Sequence, residues 1–244
     1  MFFTFVVLIQ MDTPEPIRSS PDLENEVDSE VGIALRSLEW VDRASISRDA
    51  LISKYNSLIP QLSSVQVAEA KLQIAMLFDM DRGDIEYPTD IVTAIGYYSE
   101  AFEAFPVGSD VKYLTAEILL RRLRESGDIS RAAGYVEQLA TEYSESDERV
   151  LAERVYQAVA ENQFDDADKC SRLLLASDQA APIRKLSVAN SLVRARPSAP
   201  GTAKEKKEWI RDFSRDFLTE DLPFSDAVDL SMREIELQRG PAIE

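Results

Sequence analysis

Between residues 79 and 90, five carboxylates fall within twelve positions: Asp79, Asp81, Asp84, Glu86 and Asp90. The first acids alternate as in a helix–loop–helix calcium site, and hard cations bind where one flexible loop supplies several oxygens. The register departs from that motif. Gly83 stands fifth instead of sixth, the last ligand is an Asp, and Pro88 stiffens the second half. A solvated acidic turn explains the same residues: Asp79 and Asp81 end one helix, and Thr89 or Asp90 caps the next. The turn is the expected reading, with Ca²⁺ in this loop as the metal alternative.

Other reactive arrangements are thinner. Ser109-Asp110-Val111-Lys112 has the Ser-x-x-Lys spacing of some acyl enzymes. It also follows Pro106 and Gly108 where a helix begins, which makes Ser109 an N-cap. Cys170, next to Lys169, is expected to be a half-buried structural thiol one position off its helix's apolar stripe. The chain has no His, so the commonest neutral-pH base and metal ligand is missing, and no Ser–His–Asp or Cys–His pairing can form. Asp and Glu are so abundant that no carboxylate pair stands out as an acid and base. There is no glycine-rich phosphate loop.

Composition narrows the partners. With 44 acids against 27 Lys and Arg, the net charge of −17 repels a phosphate backbone, so no nucleic acid is expected. The acidity is concentrated in residues 1–120, which carry 20 acids and 8 bases. One basic stretch, Arg184 to Arg215, has nine Lys/Arg against three acids, and the acidic N-terminal half is its expected neighbour. The run Phe2–Ile9 is too short to span a bilayer, which needs about 20 apolar residues. It does match the core of a secretory signal in length, although no basic residue precedes it. Residues 1–22 are therefore expected to be an apolar start followed by an acidic, Pro-containing tether. Export is the expected fate if the start is a truncated signal, and the cytoplasm otherwise.

The elements that would position these residues are helical throughout. Val27, Val31, Leu35 and Leu38 predict a helix over 23–40. Ser47 caps a second carrying Leu51, Tyr55 and Leu58, with Pro60 as its stop, and Ser64 opens a third to residue 80. Ile91, Ala94, Tyr98, Ala101 and Phe105 then recur as Ile129, Ala132, Val136, Leu139 and Tyr143, and again as Phe164, Ala167, Ser171 and Leu174. Apolar and small positions recurring at such a period signal stacked helical hairpins. The pairs are 64–80 with 90–105, 111–124 with 129–143, and 147–162 with 165–177. A helix from Pro182 to Arg194 follows. Pro197–Gly201 separates a C-terminal cap, residues 202–244, with Trp209, Phe213 and Phe217 on one stripe.

Ala94, Tyr98, Ala101 and Pro106 match the second-helix signature of the tetratricopeptide-like family: small, aromatic, small, proline. The second copy keeps Ala132 and the third Ala167, so the chain resembles that family over about residues 64–195. The resemblance implies an all-α, right-handed solenoid of antiparallel hairpins across 23–196, with helical caps at both ends. It implies a non-catalytic scaffold that holds a protein or peptide on its concave face. Such arrays bind through first-helix residues, which here are Tyr113, Glu117, Arg121, Arg154 and Gln157. Two other readings belong to different classes: an accessory domain of an enzyme complex, and a helical enzyme using carboxylates or a metal.

Overall fold

The structure, a computed structural model, describes residues 30–39, 41, 45–79 and 88–238. The apolar start, the tether, and Asp81, Asp84 and Glu86 of the acidic connection lie outside the described residues. Among those described, eleven α-helices and no strands occur: α1 (Glu30–Glu39), α2 (Arg48–Leu58), α3 (Ser64–Asp79), α4 (Ile91–Ala104), α5 (Asp110–Glu125), α6 (Ile129–Tyr143), α7 (Glu148–Ala160), α8 (Phe164–Ala176), α9 (Pro182–Ala195), α10 (Ala203–Phe217) and α11 (Ser225–Leu237). Thr219 and Leu222 form an isolated antiparallel bridge. The chain is all-α, as the periodicity predicts.

Local chemistry sets the boundaries. Side chains of Ser47, Asp90, Ser109, Asp128 and Asp147 each accept a backbone N–H at the first turn of the helix they precede. Thr202 and Glu205 form a reciprocal capping box on α10. Ser63, one residue before the expected Ser64, shares the same exchange with Gln66 at the start of α3. After α2, Pro60 sits in a single 3₁₀ turn, Ile59–Gln61, because its ring cannot continue the α ladder.

Two inter-helix turns have one geometry. At the end of α5, Asp128 N–H bonds Leu123 O and Gly127 N–H bonds Arg124 O, with Gly127 at φ 83°. At the end of α7, Gln163 N–H bonds Ala158 O and Asn162 N–H bonds Val159 O, with Asn162 at φ 60°. Both are Schellman caps, which need one left-handed residue. Gly takes that conformation without steric cost, and Asn tolerates it better than most side chains.

The recurring positions form the core. Ala94, Tyr98, Ala101, Ala132, Val136, Leu139, Ala167, Ser171 and Leu174 are all buried. Alanine at a helix crossing lets the axes approach, and the larger residue a turn away fills the space beside it. Polar contacts then join alternate helices. Asp79 of α3 pairs with Arg122 of α5, Arg124 of α5 with Glu153 of α7, and Glu148 of α7 with Arg184 of α9. On the second helices, Arg131 of α6 donates to Ser99 of α4 at 2.8 Å, and Tyr135 meets Phe102 edge-on at 5.4 Å between centroids. Arg172 of α8 pairs with Asp216 of α10.

The ends close on apolar contacts. Leu35 of α1 joins Leu51 and Tyr55 of α2 and Ile74 and Leu77 of α3 in one cluster. Phe213 of α10 is fully buried between Trp209, Phe217 and Phe224, in a cluster continuous with α7, α8 and α9. Among the described residues, the ion pairs of the basic stretch are with acids of the C-terminal half; the first acids of the N-terminal half, the expected neighbour, lie outside the described residues. Arg184 pairs with Glu148, Lys207 with Glu236, and Arg215 with Asp212. Helix packing decides which acids lie within reach, and α9–α11 pack on α7 and α8 and on one another.

Candidate functional site

Where α6 and α8 flank α7, a groove of about 700 Å³ opens to solvent. Residues 151, 154 and 158 of α7 and Glu161 at its C-terminal cap recur at helical spacing and line it. Its floor is apolar, made by buried Val136, Leu151 and Ala158. Leu173 stands on the wall of α8 with 56% of its surface exposed. Four carboxylates surround these residues, Glu137, Glu145, Glu161 and Asp166, against two cations, Arg154 and Lys169. The Arg154 guanidinium lies 3.9 Å from Glu137 and 3.5 Å from Glu145, so the groove keeps an acidic surplus.

A buried polar clasp holds the α7 side of this groove. Gln157 donates to Ile129 O at 3.0 Å and to Glu161 Oε1 at 2.7 Å, while its own oxygen accepts from Arg124 Nε. Arg124 also donates to Glu153 Oε2, and that carboxylate is 2% exposed. Burial pushes the Glu153 carboxyl above its usual range, and Glu117 nearby adds to the rise. Arg124 opposes both without cancelling them. A second knot ties the starts of α5 and α7 to the end of α6. Arg149 bonds Asp147 and Asp110 and lies over the rings of Tyr113 and Tyr143, at 5.0 and 4.9 Å. Burial raises the Asp147 carboxyl, but hydrogen bonds from Arg149 and its charge hold it below the usual value.

The structure does not bring the five expected contact residues onto one surface. Arg154 and Gln157 line the groove. Gln157 is 6% exposed and its amide is spent on internal partners. Tyr113 is buried, with its hydroxyl on Arg149 O and the guanidinium of Arg184 5.6 Å from its ring. Glu117 and Arg121 are exposed on α5, and Arg121 is near enough to Tyr98 of α4 to act on its ionisation. Sequence reasoning missed Glu137, Glu145 and Leu173. Glu137 and Leu173 lie on α6 and α8 and Glu145 in the connection after α6, and none carries a motif that marks it in the sequence.

The other reactive candidates have structural roles. Ser109 caps α5 through Lys112 N–H and donates its own hydroxyl to Pro106 O. Lys112 is buried, with its ammonium 3.2 Å from Glu142 and 4.6 Å from the centre of the Phe102 ring. The Cys170 thiol is half-buried on the groove wall. Burial pushes its pKa up, and the nearby Arg154 and Lys169 do not overcome this.

At the acidic connection, Asp79 accepts from Tyr98 Oη at 2.9 Å and pairs with Arg122 at 2.7 Å, with its side chain only 6% exposed. Asp90 caps α4 through Thr93, whose hydrogen bonds lower its pKa. These two ends of the alternative calcium set are therefore held by protein groups. No cluster of three metal-ligating side chains occurs among the described residues.

No described helix is long and apolar enough to cross a membrane. Comparison with known protein families, curated proteins and solved structures finds no match to this chain.

Proposed function

We propose that this chain is a non-catalytic interaction module, a right-handed stack of tetratricopeptide-like hairpins with helical caps. In this reading it seats a segment of another protein in the groove bounded by α6, α7 and α8. The observation that carries it is the half-exposed Leu173 beside an apolar floor in a concave space of about 700 Å³. Peptide segments commonly dock by laying apolar anchor residues into a hydrophobic groove. The stacking half of the proposal draws support from the recurring buried positions, the matched turns at Gly127 and Asn162, and the ties between alternate helices. The lack of any His and the structural employment of Ser109, Lys112 and Asp79 favour binding over catalysis.

Affinity capture from native lysate tests this, with the full chain and its Leu173→Asp variant as parallel baits. The expected result is a stoichiometric partner that the variant loses while Arg121→Glu retains it. Equal capture of that partner by Leu173→Asp would remove the groove from the reading.

A further inference from the structure

We propose that the groove takes a cationic segment with apolar anchor residues, a proposal that rests on the interaction reading above and names the chemistry of the partner. Four carboxylates against two cations line the groove. Glu137 and Glu145 on its rim have side chains 74% and 78% exposed, so each is free to meet a second cation besides Arg154. Lys169, the other cation, sits one position from Cys170 on the wall of α8. A partner whose apolar side chains enter beside Leu173 would bring its Lys or Arg residues against this rim. The whole-chain charge of −17 steers such a segment inward and repels an acidic one.

The chain's own apolar run, Phe2–Ile9, is the rival occupant. It is joined to residues 12–28, where six acids accompany the single Arg18. Docking that run would hold like charges beside the acidic rim, whereas a cationic segment neutralises it. Complementarity therefore selects the foreign segment.

Fluorescence anisotropy with the full chain tests this at physiological salt, using three labelled peptides. One carries Leu and Phe anchors flanked by Lys and Arg, the second the same anchors flanked by Glu, and the third the same cations without the anchors. The expected result is binding of the first peptide alone, weakened about fivefold by Glu137→Gln with Glu145→Gln, on the scale of two exposed ion pairs. The matched change Glu220→Gln with Asp229→Asn, at exposed positions outside the groove lining, is expected to leave binding intact.

Equal loss in both double variants would reduce the effect to overall charge and overturn the proposal. Binding of the Glu-flanked peptide that Leu173→Asp abolishes would overturn the cationic chemistry while sparing the groove. Binding of none of the three would sink the groove itself. Displacement of the cationic probe by a synthetic Phe2–Ile9 peptide would assign the site to the chain's own start.

Discussion

Arg124 Nη2 donates to Glu153 Oε2 across 2.7 Å, joining the last turn of α5 to the middle of α7 with both side chains largely out of water. The same nitrogen bonds Glu153 O, and Arg124 Nε reaches Gln157. Removing the cation leaves a buried carboxylate without its counter-charge, a change that costs about 3–5 kcal/mol. Arg124→Met is thus expected to lower thermal stability severely. Arg124→Met with Glu153→Leu is expected to recover most of it, because no buried charge is left unpaired, the remaining loss being the hydrogen bond from Arg124 to Gln157. Chemical denaturation of the two single variants and the double measures the coupling, and additive losses would contradict it.

The pH dependence of that carboxyl has a definite sign. Its folded pKa is raised from the reference value of 4.5, so its stabilising contribution is full below 4.5 and declines as pH rises through the folded value. Glu153→Gln mimics the protonated form. Relative to the parent its melting temperature is expected to rise as pH increases above 4.5, so that any gap in the variant's favour is widest at pH 7–8 and closes on acidification. Asp147 acts oppositely: its lowered pKa gives stability above the reference 3.8 that is lost as pH falls through the folded value. A gap that widens on acidification would contradict the assignment to Glu153.

Ser144, at the end of α6, holds φ 126° and ψ 145°, a region that residues with a Cβ rarely enter. Ser144→Gly is expected to stabilise by about 1 kcal/mol, or about 2–4 °C in melting temperature for a protein of this size. Gly127→Ala should do the reverse by about 1 kcal/mol. A Cβ there meets no atom within 4 Å, so the cost is purely that of a left-handed backbone. Thermal melts of the two variants read both signs.

Asp79 links α3, α4 and α5 through Tyr98 and Arg122. Asp79→Asn is expected to destabilise by about 1–3 kcal/mol by breaking a largely buried charged contact. The loss should be the same with calcium as without it, because the carboxylate's partners are protein groups. A calcium-dependent rise in the parent's melting temperature that Asp79→Asn abolishes would restore the metal reading of the 79–90 connection.

Much of the helical layout was legible in the residues because it depends on local signals. Ser47, Ser109 and Asp90 announced helix starts by side-chain chemistry that acts within three positions. The apolar period reported the buried faces of α4, α6 and α8. The left-handed turn at Asn162 was harder to see, since Asn serves in many other conformations, whereas Gly127 advertised its own. The groove was not legible. Glu137, Arg154 and Leu173 meet only because α6 and α8 flank α7, and that spacing follows from packing across three helices. Tyr113 and Gln157 looked like contact residues for another reason. The resemblance places contacts on first helices whatever each residue's own packing, and here tertiary partners consume their polar groups.

The matched turns at Gly127 and Asn162 lie 35 positions apart, each with one left-handed residue closing the helix before it. A chain cut after Gly127 and rejoined at Gln163 would keep that turn in register and set α5 directly before α8. Insertion of the same stretch would lengthen the molecule by one complete hairpin. On the proposed stacking, joints at equivalent points would let size change in whole units, by duplication or loss, without a new connection. Loss of that stretch would take α6, α7 and the groove with it, whereas duplication would repeat most of the groove's lining.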